Sequence, residues 1–165
     1  MKRDRAPVSR RMADVKEAMA SSGASRVVLA NGCFDPLHVG HVRYLSGAKD
    51  YGDFLVVAIN DDKSTHALKG EGRPVSRAVD RANVVSSLDM VDAVLIFSAR
   101  SVRGILRRLK PAFHAKGTDY TKESVPELET SKRLGIETVI VGDPKSHASS
   151  EVVKQISRPN TRRHK

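Results

Sequence analysis

Between residues 31 and 41 the chain reads Asn-Gly-Cys-Phe-Asp-Pro-Leu-His-Val-Gly-His, a stretch whose residue types suit the handling of negative charge. His38 and His41 are three apart, so on the first turn of a helix their imidazoles lie side by side. Backbone N–H groups at a helix start favour anions. Two imidazoles there can donate hydrogen bonds to phosphate oxygens as charge builds during group transfer. Gly40 keeps that face open, Gly32 lets the backbone approach a ligand closely, and Pro36 stiffens the turn. An HxxH pair also fits a metal pair, although no third ligand of the right type lies close in sequence. Cys33 is either a nucleophile or a small buried thiol. Neither GxxxxGK followed by Ser or Thr nor GxGxxG occurs, so a P-loop or a dinucleotide fingerprint has no support.

These residues need a strand before them and a helix after them. RVVLAN (26–31) reads as a buried strand, and residues 39–51 as a helix with Val42, Leu45 and Ala48 on one side. FLVVAIN (54–60) is a second strand; such unbroken apolar runs belong to parallel strands covered on both faces. KGEGRPV (69–75) is a loop, followed by a helix from Ser76 to Leu88 with Ser76 as N-cap. DAVLIF (92–97) is a third strand. Residues 100–109 form a helix with Val102, Ile105, Leu106 and Leu109 on one face. Arg100, Arg103, Arg107 and Arg108 crowd the rest, as a solvated face or a phosphate site. Pro111 ends that helix, and PAFHAKG (111–117) is a fourth strand. Ser124 with Glu127 makes a capping box for a helix through Leu134, which Gly135 stops. ETVIVG (137–142) is a fifth strand, and a last helix spans 149–157. Five strands alternating with helices imply an α/β fold with a doubly wound parallel sheet. Ligands of such sheets bind beyond the carboxyl ends of the strands, where the strand order reverses.

The 165 residues suffice for one such domain. We divide them into a basic extension (1–25) able to hold a helix, a domain (26–157) and a basic tail (158–165). The net charge of +10 raises the possibility of nucleic-acid binding. Residues 1–11 and 154–165 carry nine of those ten charges, however, leaving a nearly neutral body. No apolar run approaches the ~20 residues of a membrane span. The N-terminus has no apolar stretch resembling a secretory signal. A single cysteine excludes an internal disulfide and a cysteine-built zinc site, which fits a cytoplasmic, reducing compartment.

GCFDPLHVGH resembles the GxFDxxHxGH signature of the cytidylyltransferase-like nucleotidyltransferases, a Rossmann-like fold. NGCFDPLHVGHVRYL, LVVAINDD, LKGEGRPV, DRANVVSSLDMVD, AKGTDY and SSEVVKQI look like consecutive blocks of the bacterial heptose 1-phosphate adenylyltransferases, across about residues 26–156. Those occur alone or as the C-terminal half of a bifunctional ADP-heptose synthase. The resemblance implies transfer of AMP from ATP to a sugar phosphate with release of pyrophosphate, and a Mg²⁺ ion held mainly by the triphosphate. It also implies a homodimer, with the sugar kinase encoded separately. The alternatives are CTP with glycerol 3-phosphate or a similar phosphorylated alcohol, ATP with FMN, and a basic nucleic-acid-binding module.

By that resemblance His38 and His41 would hold the triphosphate and stabilise the five-coordinate α-phosphorus, with Lys69 reaching the transferring phosphates. Asn31, Gly32, Cys33, Phe34 and Gly40 would contact the nucleotide, as would Lys116, Gly117 and Asp119. Ser149 and Ser150 stand where the family places a Ser/Thr pair at a helix start. Asp35 fits as an anchor of the signature loop and is grouped with Asp62, Lys69 and Arg81 on the substrate side; for Lys69 and Arg81 a plain surface role is the alternative. Three departures from the family pattern bear on nucleotide and acceptor. The arginine expected before the Ser/Thr pair is missing, with Lys145 as a substitute; Glu151 follows the pair; and His114 occupies a usually apolar strand, which would leave that strand partly solvated.

Overall fold

The computed structural model describes residues 5–143 and Val153. Among them, six strands form one sheet: β1 (Val8–Ser9), β2 (Val27–Gly32), β3 (Phe54–Asn60), β4 (Ala93–Phe97), β5 (Phe113–Gly117) and β6 (Glu137–Val141). Their order is β1-β4-β3-β2-β5-β6, and every pairing is parallel. All seven residues of β3 are buried, as an unbroken apolar run in a covered sheet must be.

Helices cover both faces. On one, α2 (Val39–Lys49) and α4 (Ala78–Ser86) bring Tyr44, Leu45, Ala48, Ala82 and Val85 against Val28, Ala30, Val57 and Ile59. On the other, α1 (Met12–Ser22) and α5 (Arg103–Leu109) bring Val15, Ile105 and Leu106 against Leu29, Val56 and Leu95. A short α6 (Leu128–Leu134) leads into β6. The chain runs outward from β2 through β3 to β4, then returns to place β5 on the other side of β2. The reversal of strand order therefore lies between the ends of β2 and β5.

The expected five strands become six. β1 lies inside the segment read as an extension, and pairs Val8 and Ser9 with Val94 and Leu95. The next helix, α1, buries Met12 and Val15, so these residues are part of the folded domain. α3 (Asp62–Lys69) was also not anticipated; the residues it buries are Ser64 and Thr65, which make no apolar period. Asp61 caps it by accepting from Ser64 N at 2.8 Å.

Two expected caps are replaced. α4 starts after Arg77, and its first N–H, from Ala78, donates to the Asp62 carboxylate at 2.7 Å rather than to Ser76. The capping box near residue 124 is formed by Thr121 and Ser124 around a 3₁₀ turn, and the Glu127 side chain caps nothing. His114 is fully buried rather than solvated, because its Nε2 bonds Asn31 Oδ1 at 3.1 Å on the neighbouring strand. The last expected helix, 149–157, falls outside the described residues apart from Val153.

Candidate active site

A cavity of about 710 Å³ opens over the carboxyl ends of β2 and β5, at the reversal of strand order. This is a size typical of small-molecule sites. Its wall includes Asn31, Gly32, Cys33, Phe34, His38, Gly40, His41, Lys69, Lys116, Gly117 and Asp119, all anticipated from the sequence.

The loop from β2 to α2 is held by its own carboxylate. Asp35 is 1% exposed. It accepts from Val75 N, from Ser76 N at 2.9 Å and from Arg73 Nε at 2.8 Å. A second guanidinium nitrogen of Arg73 donates to the Asp35 carbonyl. Asp35 thus ties the signature loop to the glycine-rich loop and brings Arg73 to the cavity wall. Phe34 adopts a left-handed backbone, φ 50°, and turns its ring back over Gly32. A Cβ on Gly32 would sit 3.1 Å from that ring, which is why the position has no side chain.

His38 is the N-cap residue of α2. The His38 and His41 rings stack with centroids 3.9 Å apart, and Phe34 flanks His41 at 5.0 Å. Gly40 makes that stack possible: a Cβ there would lie 3.0 Å from His38 Cε1 and Nδ1. His41 Nδ1 accepts from the His38 backbone N–H at 3.3 Å, which puts the proton of a neutral ring on Nε2. Burial, the neighbouring His38 and Lys69 lower the His41 pKa to about 4, against a smaller upward pull from Asp119. Near neutral pH His41 is therefore an uncharged ring with an Nε2–H donor at the cavity wall. Tyr44 secures the helix behind it, accepting from Asn31 N at 3.2 Å and donating to Ala115 O at 2.9 Å. Burial raises the Tyr44 pKa.

Two residues expected on the substrate side lie elsewhere. Arg81 is 3% exposed and outside the cavity wall. Its guanidinium donates to the carbonyls of Cys33, Asn60 and Ser76 and to Asp62. Asp62 is the partner of Arg81 and the cap of α4, and it too is outside the wall. Together they hold the backbone at Cys33, Asn60, Ser76 and Ala78, and Cys33 and Asn60 line the cavity. Asp35 lines the cavity, but its carboxylate is occupied by protein donors. The Cys33 thiol faces the Asn60 side-chain oxygen at 3.8 Å. Ser149, Ser150, Lys145 and Glu151 lie outside the described residues.

Sequence reasoning missed several wall residues: Arg43, Arg73, Ser101, Tyr120 and Glu127. Arg100 and Arg103 belong to the basic set that was open between a solvated face and a phosphate site. All four are exposed, but only Arg100 and Arg103 stand on the cavity wall.

The sequence profile of the cytidylyltransferase-like family matches residues 29–156. The chain belongs to that family of nucleotidyltransferases. It is 39% identical over 142 residues to the bifunctional protein HldE of Campylobacter curvus, covering 86% of this chain. The corresponding protein of Geobacter metallireducens is 39% identical over 147 residues, covering 89%. In both comparisons the chain spans 30% of the relative's length. Among solved structures, a lipopolysaccharide core biosynthesis protein from Thermoplasma volcanium superposes with a TM-score of 0.63 at 26% identity. That match covers 73% of this chain and 98% of the other. Among the described residues, no helix is long and apolar enough to cross a membrane.

Proposed function

We propose that this domain transfers the AMP group of ATP to a heptose 1-phosphate, releasing pyrophosphate and forming ADP-heptose, in the cytoplasm. Membership of the nucleotidyltransferase family and the consecutive sequence blocks support the reading. The observation that carries it is the stacked imidazole pair at the start of α2, with His41 neutral and its Nε2–H making no hydrogen bond among the described residues.

The chemistry needs little covalent help. An ionised oxygen of the acceptor phosphate attacks the α-phosphorus. The bond from that phosphorus to the β-bridging oxygen breaks, and pyrophosphate leaves with the electron pair. The attacking oxygen is already deprotonated, so no general base is required. Positioning and charge stabilisation dominate. His41 Nε2–H, with His38 beside it, meets the α-phosphate oxygens, and Lys69 and Arg73 at the wall neutralise the polyphosphate. Donors that need no reorganisation as charge develops are worth most in such a site.

A Mg²⁺ ion on the triphosphate would add charge neutralisation. The residues present fit an ion that arrives with its nucleotide. Among the described residues no group of three His, Cys, Asp or Glu is placed to hold a metal, and Asp35, Glu127 and Asp143 on the wall are engaged by Arg73, Lys116 and Arg43. Asp119 is a wall carboxylate near His41 that would meet the ion's water shell.

The family name keeps one other reading in play: CTP with glycerol 3-phosphate or a similar acceptor. Pyrophosphate release measured over four NTPs, each with heptose 1-phosphate, glycerol 3-phosphate and FMN, separates the two. ATP with heptose 1-phosphate should be turned over fastest. Preference for CTP, or for either other acceptor, would displace the proposal.

A further inference from the structure

Away from the histidines the cavity reaches the gap between α5 and α6, where its wall includes Ser101, Lys116, Tyr120 and Glu127. Glu127 is only 4% exposed. Its Oε1 accepts from Ser101 Oγ at 2.9 Å. Its Oε2 is buried and takes no hydrogen bond among the described residues; the Lys116 ammonium stands 3.8 Å from it. Lys116 is itself 7% exposed and lies over the Tyr120 ring, 4.6 Å from its centroid. A buried carboxylate oxygen that accepts no hydrogen bond costs free energy even beside an ammonium, and a position that tolerates it calls for a reason. Helix capping is not that reason, since the Glu127 side chain caps nothing.

Resting on the transferase reading above, we propose that Glu127, with Ser101 and Lys116, forms the subsite for the hydroxyl groups of the acceptor and so selects a phosphate monoester that carries adjacent hydroxyls. A carboxylate oxygen and an ammonium this far apart match a pair of adjacent hydroxyls. One hydroxyl donates to Oε2, and the other accepts from Nζ. The carboxylate itself repels a phosphate, and the cations beside it other than Lys116, namely Arg100 and Arg103, are exposed; the acceptor's phosphate is placed beside Lys69 and Arg73 instead. A nucleobase calls for flat apolar faces, whereas this floor is a buried ion pair with a hydroxyl attached. A ligand that is anionic at one end and rich in hydroxyls at the other satisfies both ends of the cavity.

The test compares the wild type with Glu127→Ala and Glu127→Gln, both checked for folding by circular dichroism. Binding of heptose 1-phosphate, mannose 1-phosphate, glycerol 3-phosphate and ATP is titrated by calorimetry, and KM values are taken from pyrophosphate release. Loss of hydrogen bonds to a buried charge should weaken the sugar phosphates about 10–100-fold. Glycerol 3-phosphate, whose C1 and C2 hydroxyls are adjacent, should weaken with them, while ATP should stay within about twofold. Unchanged sugar-phosphate affinity, weakened ATP instead, or a wild type that binds no sugar phosphate overturns the subsite. If sugar phosphates bind through Glu127 but no pyrophosphate appears, the subsite stands and the transferase reading falls. If pyrophosphate is released with no dependence on Glu127, the reverse holds. Should neither Glu127 variant fold, Ser101→Ala, which frees Oε1, is expected to raise the sugar-phosphate KM several-fold, and an unchanged KM there refutes the subsite.

Discussion

Gly40→Ala should separate activity from stability, because the two respond with opposite sign. Gly40 lies in the first turn of α2, and its backbone is not among those with positive φ. Alanine therefore fits the helix and should stabilise it by up to about 0.5–1 kcal/mol, less at a helix end. The added methyl would stand 3.0 Å from two atoms of the His38 ring. Carbon contacts are best at about 3.5–4.0 Å, so the ring must shift by roughly 0.5 Å. Its other neighbour, the His41 ring, is stacked at 3.9 Å between centroids, so the His38 ring gives way toward the cavity it lines. A misplacement of about 1 Å in an active site can cost ~10² in rate, so half of that should cost roughly tenfold in kcat/KM. Pyrophosphate release gives the rate and calorimetric unfolding gives the stability. Full activity with an unmoved His38 ring would refute the reasoning, and so would a rate loss matched by a lowered unfolding midpoint.

Tyr44→Phe keeps the ring and strands Asn31 N–H and Ala115 C=O, so urea unfolding should show a loss of about 1–3 kcal/mol. Arg81→Met should destabilise the fold by about 3–5 kcal/mol by leaving buried carbonyls without their donor, while the Kd for ATP of the folded fraction stays unchanged; a large change in that Kd would place Arg81 in the binding site after all. Burial holds the His114 pKa at about 4, helped by the nearby Lys116 and opposed by Glu127. The unfolded chain, with its histidine near the usual value, takes up a proton between these limits and the folded chain does not. His114 therefore contributes stability that is present above pH ~6.5 and lost as pH falls toward 4, at up to about 1.4 kcal/mol per pH unit. Unfolding midpoints measured from pH 7 to 5 should fall, and His114→Phe should flatten the slope; parallel slopes would contradict this.

The strands and the signature loop were legible because burial on both faces of a sheet writes itself as apolar runs. The residues of β3 were read in full from FLVVAIN. The wall from Asn31 to His41 was legible because one short segment carries it. α3 was not, since a helix that buries a serine and a threonine has no apolar stripe to find. β1 escaped because two residues beside a proline are too short for any period, and only their pairing with β4 makes them a strand.

Local order along the chain determined the reaction class: a strand, a turn and two histidines three residues apart lie in one continuous segment. The roles of the charged residues were decided only by the folded chain. Arg73 and Arg81 look alike in sequence, yet one reaches the cavity with Asp35 while the other disappears beneath Cys33 and Asn60. Glu127 looks like part of a helix cap and instead faces Ser101 and Lys116. An ionic group takes its role from the partners that compensate its desolvation. Apart from the Ser76 carbonyl, five residues from Arg81, those partners lie 11 to 48 residues away in sequence, beyond the reach of any local pattern.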